Sequence, residues 1–272
     1  MHSIWRERTP VPKTADIIAT ALYEEGVRYA YGIPGGEVLE LLEAFRKVGI
    51  KFILTKQEMG AGIMADATYQ LTGKPGVLVA TLGPGITNTT TAVAQASLDR
   101  SAVIVLTGEI ATSLKSIYTH QIIDQESLLR PIVKWTTTIA AKNAFDQVRK
   151  GIAIARQSMP GPVHFNVPTD VAAAEQPESK RFAPVGVRTL PRRDDRGPIE
   201  ALLKKARRPL ALVGVGVQSA NSSVSSKRGA SRSSAHTRPK ASCRKIIRCA
   251  RARPVCRRWS TSCTWRRCAK PT

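Results

Sequence analysis

Short apolar segments alternate with longer segments of helical periodicity between residues 14 and 171, and this alternation restricts the fold more than any other feature of the sequence. The pattern predicts helices over 15–26, 38–48, 58–71, 87–98 and 144–155, and strands over 27–31, 51–54, 77–80, 102–106 and 163–167. Strands that are apolar throughout are buried on both faces, and intervening helices let consecutive strands run in the same direction. We therefore predict an α/β domain in which helices cover both faces of a parallel sheet.

The sequence changes character beyond this region. Residues 172–208 are rich in Pro, Arg and Ala, with a short predicted helix at 199–205, and an apolar strand at 210–213 then runs into Gly214-Val215-Gly216-Val217. We assign residues 12–175 to the first domain, 176–207 to a linker and 208–218 to the start of an incomplete second α/β unit. Residues 219–272 lose the apolar periodicity, and we expect them to be a disordered basic tail.

The net charge of +22 is concentrated in this tail. Residues 219–272 hold 15 of the 42 Lys and Arg residues and none of the 20 Asp and Glu residues, so residues 1–218 carry only +7. Ordinary composition places about six or seven acidic residues in a stretch of this length. We therefore expect a shifted reading frame after residue 217. The alternatives are a split enzyme with its second half on another polypeptide, and a genuine tail that binds nucleic acid through Arg pairs and Trp259 and Trp265.

All five cysteines lie in the same tail, and their spacing contains no Cys-x-x-Cys pair, so we predict no metal site on this chain. The N-terminal residues lack an apolar run of signal-peptide length, and nowhere do 18 apolar residues occur together. These features predict a soluble cytoplasmic protein without a membrane partner.

Three strand-to-helix turns carry residues that a plain connection does not need. Residues 31–36 contain the glycine pair Gly35-Gly36, residues 56–61 place Glu58 in the first turn of a helix, and residues 80–88 contain a Gly-Pro-Gly loop. Taken singly, these are a tight turn, an acid favoured by the helix dipole and a loop that matches no complete phosphate-binding motif. Ligands of open parallel sheets bind beyond the carboxyl ends of the strands, where such turns lie.

In their order and spacing these motifs resemble the pyrimidine-binding domain of thiamine-diphosphate enzymes of the acetolactate synthase and pyruvate oxidase group. The matching segments are Gly-Ile-Pro-Gly-Gly (32–36), Gln-Glu-Met-Gly-Ala (57–61), Gly-Lys-Pro-Gly-Val (73–77), Gly-Pro-Gly-Ile-Thr-Asn (83–88) and Leu-Thr-Gly (106–108). Segments 130–134, 161–163 and 167–171 extend the resemblance across the first domain.

The resemblance implies roles for individual residues. Glu58 is expected to be the catalytic glutamate, whose carboxyl group hydrogen-bonds the aminopyrimidine ring of the cofactor. The expected cofactor-binding residues are Pro34, Glu58, Thr81, Pro84 and Asn88. The residues expected to line the substrate channel are Gly35, Gly36 and Gln121.

The resemblance also implies a reaction. Pyruvate is expected to be decarboxylated and condensed with a second 2-oxo acid, as in branched-chain amino acid biosynthesis, with thiamine diphosphate storing the carbanion. In the family the C-terminal domain of a neighbouring chain binds the diphosphate through Mg²⁺, so a homo-oligomer is expected, and FAD is a further candidate cofactor outside this domain. Without such a domain we expect this chain to be inactive alone.

Three residues depart from the family pattern near the expected substrate entrance. Glu37, Glu109 and His120 stand where acetolactate synthases carry a small residue, a glutamine and a phenylalanine, and each adds charge or polarity. The alternative is therefore a related lyase, decarboxylase or acetyltransferase acting on another 2-oxo acid.

Overall fold

The structure, a computed structural model, divides the chain into two compact units, Met1–Arg192 and Arg193–Thr272. It describes residues 11–157 and 159–176 of the first unit, and residues 196–205, 210–213 and 232–235 of the second. Within these residues no helix is long and apolar enough to cross a lipid bilayer.

Six strands form one parallel sheet in the first unit. In chain order they are β1 (Tyr29–Gly32), β2 (Lys51–Leu54), β3 (Gly76–Ala80), β4 (Val103–Glu109), β5 (Trp135–Thr138) and β6 (Val163–Pro168). Their order across the sheet is β2-β1-β3-β4-β6-β5, and each neighbouring pair is parallel. The prediction of a parallel α/β sheet is confirmed.

Helices connect the strands. They are α1 (Thr14–Glu24), α2 (Leu39–Val48), α3 (Glu58–Thr72), α4 (Pro84–Thr87), α5 (Thr90–Leu98), α6 (Gln125–Leu129), α7 (Ala144–Arg156) and α8 (Thr169–Ala173). Short 3₁₀ turns occupy Gly36–Val38, Thr112–Leu114 and Ala141–Asn143. Helices α2 and α3 end at Gly49 (φ 86°) and Gly73 (φ 70°), where glycine adopts the left-handed conformation of a helix C-cap.

Two hydrophobic clusters cover the two faces of the sheet. Along β3, Val77 and Val79 belong to the cluster that contains α1, α2 and α7, whereas Leu78 belongs to the cluster that contains α3 and α5. Successive side chains of a strand point to opposite faces, so a strand covered on both sides must be apolar throughout. All residues of β3 and β4 are buried, which explains the continuous apolar runs in the sequence.

The structure adds elements that the sequence pattern did not predict. Strand β5 has the sequence Trp-Thr-Thr-Thr and is only half-buried at the sheet edge, so it lacks the apolar run of the central strands. Helices α6 and α8 have five residues each, too few to show a helical period. The helix predicted over 87–98 is two helices, because the chain turns at Asn88 and Thr89 between α4 and α5.

The two ends of the first unit's described region lie together. Lys13 and Glu175 form an antiparallel bridge, and the backbone N–H of Thr14 donates to the carbonyl of Ala174 at 2.9 Å. This pairing joins the start of α1 to the end of α8.

The second unit contains α9 (Arg196–Lys205), β7 (Leu210–Val213) and β8 (Arg232–Ala235), and β7 pairs with β8 in parallel. The predicted helix at 199–205 and strand at 210–213 match the first two elements. β8 differs from the expectation for 219–272, because its four residues form a strand where Ser and Arg give no strand pattern. The rest of 219–272 lies outside the described residues, as do residues 177–195 and 206–207 of the linker and residues 208–209 and 214–218 of the incomplete second α/β unit.

Candidate cofactor site

The strand order reverses between β1 and β3. From β1 the chain moves outward to β2, and from β3 it moves in the opposite direction to β4, so a crevice is expected between the carboxyl ends of β1 and β3. Such a reversal is where open α/β sheets bind ligands. The turn after β1 carries Pro34, Gly35 and Gly36, and the turn after β3 carries Thr81 and Pro84, so two of the three sequence motifs meet at this crevice.

Thr81 packs between the two glycine turns at a distance that only glycine permits. A Cβ atom at Gly35 would lie 2.2 Å from Thr81 Cγ2, and one at Gly85 would lie 2.4 Å from Thr81 Oγ1. Both separations are far shorter than carbon and oxygen atoms tolerate without bonding. The absence of side chains at Gly35 and Gly85 therefore brings the backbones of the two turns close to one threonine.

Glu58 joins this cluster from the third motif. It is the first residue of α3 and follows Gln57, which is extended (φ −159°, ψ 154°), so its carboxylate lies at the helix N-terminus, where the dipole favours negative charge. The side-chain amide of Asn88 donates to Glu58 Oε2 at 2.6 Å. A Cβ atom at Gly85 would lie 3.9 Å from Glu58 Oε1, so this second oxygen faces the Gly-Pro-Gly turn.

Gln121 lies against the same turn from another segment. Gly83 has φ 57° and ψ −116°, which L-residues rarely adopt, and a Cβ atom there would lie 2.7 Å from the carbonyl oxygen of Gln121. Gln121 is itself left-handed, with φ 58°, although it is not glycine. Left-handed backbone costs a non-glycine residue about 1–2 kcal/mol, and such strain concentrates at ligand sites.

The three departures from the family pattern are in different surroundings. Glu37 reaches the crevice, since its Oε2 would lie 3.0 Å from a Cβ atom at Gly35. His120 is exposed and its ring meets that of Tyr118 edge-on at 6.4 Å between centroids. Glu109 is only 8% exposed and forms an ion pair with Lys115 at 2.7 Å.

Sequence analysis missed a second group of polar residues, which lies inside the sheet. His164 is completely buried, and its two ring nitrogens lie 2.7 Å from Thr107 Oγ1 and 2.8 Å from Thr136 Oγ1. Burial lowers the pKa of His164 to about 3, so the ring is neutral at pH 7. Asn166, two residues further along β6, donates to the carboxylate of Glu109. Polar residues at alternate positions of otherwise apolar strands were the signal that could have revealed this group.

This geometry is that of a cofactor-binding α/β domain, and comparison with known proteins identifies the cofactor class. The family model described as "Thiamine pyrophosphate enzyme, N-terminal TPP binding domain" matches residues 12–128. Glu58 and the turns after β1 and β3 fall within this match.

Curated relatives agree with the family model. The chain is 37% identical over 172 residues to 2-hydroxyacyl-CoA lyase 2 of Mus musculus, covering 63% of this chain and 27% of the relative. It is 32% identical over 218 residues to the acetolactate synthase large subunit of Buchnera aphidicola, covering 77% and 38%. It is 36% identical over 159 residues to the acetolactate synthase isozyme 3 large subunit of Escherichia coli, covering 58% and 28%.

Residues 12–128 therefore match the N-terminal cofactor-binding domain of thiamine-diphosphate-dependent enzymes, and the relatives that the chain resembles include acetolactate synthase large subunits. The chain spans between 27% and 38% of the length of these three relatives. Within the described residues, no group of three or more His, Cys, Asp or Glu side chains is arranged to hold a metal ion.

Proposed function

We propose that this chain supplies the pyrimidine side of an enzyme that decarboxylates pyruvate and condenses the product with a second 2-oxo acid, as acetolactate synthases do. The observation that carries the proposal is the Glu58 carboxylate, which Asn88 fixes at 2.6 Å beside the crevice between β1 and β3. A carboxylate held in one orientation at a ligand-binding crevice is suited to a single directed hydrogen bond.

The residues of the crevice fit an aminopyrimidine ring. Glu58 Oε2 accepts from Asn88, so Oε1 is available to a ring nitrogen. Gly35 and Gly85 carry no side chains where Thr81 packs, so the two turns lie close together, and the Cβ position of Gly85 is 3.9 Å from Glu58 Oε1. When bound, thiamine diphosphate would supply an electron sink for decarboxylation. The part of Glu58 is to hold a proton at the ring nitrogen and so favour the reactive tautomer.

The diphosphate, Mg²⁺ and any FAD are proposed to be held by other domains, with a neighbouring chain of a homo-oligomer facing α3. Two exposed apolar side chains on this helix favour a surface that another chain covers: Ile63 is 51% exposed and Met64 is 45% exposed. Neighbouring apolar residues on one exposed helix are typical of interaction surfaces.

A second candidate is cleavage of a 2-hydroxyacyl-CoA. Relatives named 2-hydroxyacyl-CoA lyase 2 match at 37% and 35% identity in Mus musculus and Danio rerio. Glu37 favours this candidate, because its carboxylate beside Gly35 would repel the carboxylate of a second 2-oxo acid. The two reactions differ in their substrates, so product analysis of the complete enzyme with pyruvate and with a 2-hydroxyacyl-CoA distinguishes them.

Binding of the pyrimidine half of the cofactor tests the shared part of both candidates. The probe is 4-amino-5-hydroxymethyl-2-methylpyrimidine, which needs no diphosphate site, titrated into the 272-residue chain and followed by NMR. We expect Glu58→Gln to weaken binding tenfold or more, since a hydrogen bond to a charged group contributes about 1.5–3 kcal/mol. Glu43→Gln, an exposed acid on α2, is the matched control and should bind normally. Equal affinity of the Glu58→Gln protein and the wild type would refute the assignment.

A further inference from the structure

Three neighbouring strands carry polar side chains on one face of the sheet, close to their carboxyl ends. The residues are Thr107 and Glu109 on β4, His164 and Asn166 on β6, and Thr136 and Thr138 on β5. Residues two apart in a strand share a face, and the register sets Asn166 beside both Thr107 and Thr138. Buried polar groups are unfavourable unless hydrogen-bonded. These six residues, called the polar row below, are therefore a hydrogen-bonded group rather than ordinary apolar core.

The row ends at an open polar cavity of about 170 Å³, which helix α6 helps to line. Its lining includes Glu109, Lys115, Gln125, Glu126, Arg130 and Asn166. The cavity is larger than the roughly 10–15 Å³ that one water needs by a comparable measure, so it has room for a small organic molecule. It lies at the ends of β4, β5 and β6, whereas the cofactor crevice lies at the ends of β1 and β3.

Gln125 contributes a buried acceptor that the protein does not use. The residue is only 3% exposed, and its Nε2 donates to the carbonyl of Gly108 at 3.1 Å. Among the described residues its Oε1 has no hydrogen-bond partner. The amide cannot be turned round, because that would set two oxygens against each other at Gly108. Leaving such an acceptor unpaired costs about 1–3 kcal/mol. Gln125 lines the cavity, so a donor that enters the cavity and displaces the atoms that now enclose Oε1 would recover this cost.

The charges around the cavity indicate which donor it is. Three acidic side chains, Glu109, Asp124 and Glu126, face two basic ones, Lys115 and Arg130, so the lining is net negative. Glu109 is already engaged by Lys115 at 2.7 Å and by Asn166. Glu126 accepts from Thr138 Oγ1 through Oε1 at 2.6 Å, and the carboxylate borders the same cavity as Gln125. A positively charged donor could pair with both the unpaired oxygen of Gln125 and the carboxylate of Glu126.

We propose that this cavity binds the primary ammonium group of a small molecule, with its N–H groups donating to Gln125 Oε1 and to the Glu126 carboxylate. An ammonium group has three donors and no acceptor, which complements acceptors on two residues that line the same net negative cavity. This site goes beyond the proposed catalytic function and does not depend on it.

Two cations of the same charge test the proposal on the whole chain. Methylammonium chloride and tetramethylammonium chloride are titrated separately at constant ionic strength, and NMR follows the side-chain amide of Gln125. Only methylammonium has N–H donors, so it should give a saturable shift that tetramethylammonium does not give. Glu126→Gln should weaken methylammonium binding roughly tenfold or more, because the charge of one acceptor is removed while the side-chain shape is kept. Glu43→Gln on α2 should bind as the wild type does.

Three results would each overturn the proposal: equal shifts with the two cations, no saturable shift with either cation, or unchanged methylammonium affinity in the Glu126→Gln protein. A crystal structure determined in the presence of methylammonium that shows only water at Gln125 Oε1 would also overturn the proposal. Glu126 is half-buried at the edge of a five-residue helix, so Glu126→Gln is expected to leave the fold intact.

Discussion

Two parts of the sheet's carboxyl edge build polar surroundings in different ways. At the ends of β1 and β3 the chain removes side chains, so that Gly35 and Gly85 bring two turns against Thr81. At the ends of β4, β5 and β6 the strands themselves carry polar side chains, which hydrogen-bond to one another. His164, for example, lies between two threonine hydroxyls. The first device brings two turns together beside Glu58, whereas the second fixes a hydrogen-bond pattern. Substitutions in the first region should therefore affect binding of the cofactor, whereas substitutions of the mutually hydrogen-bonded residues of the row should affect stability.

The largest expected effect follows from filling the cofactor crevice. Gly85→Val would place a Cβ 2.4 Å from Thr81 Oγ1, and Thr81 has no room to withdraw because Gly35 lies on its other side. We expect binding of the pyrimidine probe to fall at least a hundredfold, equivalent to about 2.7 kcal/mol or more. Isothermal calorimetry of the purified variant measures the loss.

Gly60→Ala is the control for Gly85→Val. A Cβ there would meet only Gln57 Cγ at 3.9 Å, and alanine in a helix is favoured over glycine by roughly 0.5–1 kcal/mol. This variant should bind the probe normally and unfold at slightly higher denaturant. Normal binding by the Gly85→Val protein would mean that the glycines do not define a ligand crevice.

The second effect concerns the pH dependence of stability in the polar row. Burial lowers the pKa of His164 to about 3, below the value near 6.5 of an unfolded histidine. Between these values the unfolded chain binds a proton that the folded chain does not. Stability should therefore be complete above pH 6.5 and fall by up to about 1.4 kcal/mol per pH unit as the pH drops toward 3.

Urea unfolding followed by circular dichroism between pH 7 and pH 4.5 measures this slope. His164→Asn removes the titrating ring and should unfold with a shallower dependence on pH, even though the variant is less stable at pH 7. His120→Gln removes an exposed histidine and should keep the wild-type slope. Identical slopes for the wild type and the His164→Asn protein would show that His164 is accessible to protons in the folded state.

The same contrast explains what could be predicted from the sequence. The residues of each glycine turn are contiguous in the chain, so Gly-Ile-Pro-Gly-Gly and Gly-Pro-Gly could be found as motifs. The apolar runs of strands β3 and β4 allowed the parallel sheet to be predicted. The contact of Gln121 with Gly83 joins residues 38 positions apart, and only the resemblance pointed to it. Alternating polar residues could have indicated the members of the polar row, but not their partners, because Thr107, Thr136 and His164 become neighbours only through the register of three strands.

Glu109 shows a different limit of sequence analysis. Its place after the Thr-Gly pair at the end of β4 predicted added charge near the substrate entrance. In the structure its carboxylate is only 8% exposed and is engaged by Lys115 and Asn166, so it belongs to the polar row. A position at a strand end does not indicate which neighbours will neutralise a carboxylate.

The smallest expected effect, the change in stability of Thr81→Val, is measured by comparing two threonines directly, one from each region. Thr107→Val keeps the side-chain shape but removes the hydroxyl that lies 2.7 Å from the buried His164 ring, leaving a ring nitrogen without its partner. The free energy of unfolding should fall by about 1–3 kcal/mol, the usual penalty for an unpaired buried polar group.

Thr81→Val makes the same chemical change beside Gly35 and Gly85, where the side chain is half-buried. Its stability should change by less than about 0.5 kcal/mol, while affinity for the pyrimidine probe decreases. Urea unfolding and calorimetry of both variants give a two-by-two comparison, and equal losses of stability would remove the distinction between a binding region and a structural one.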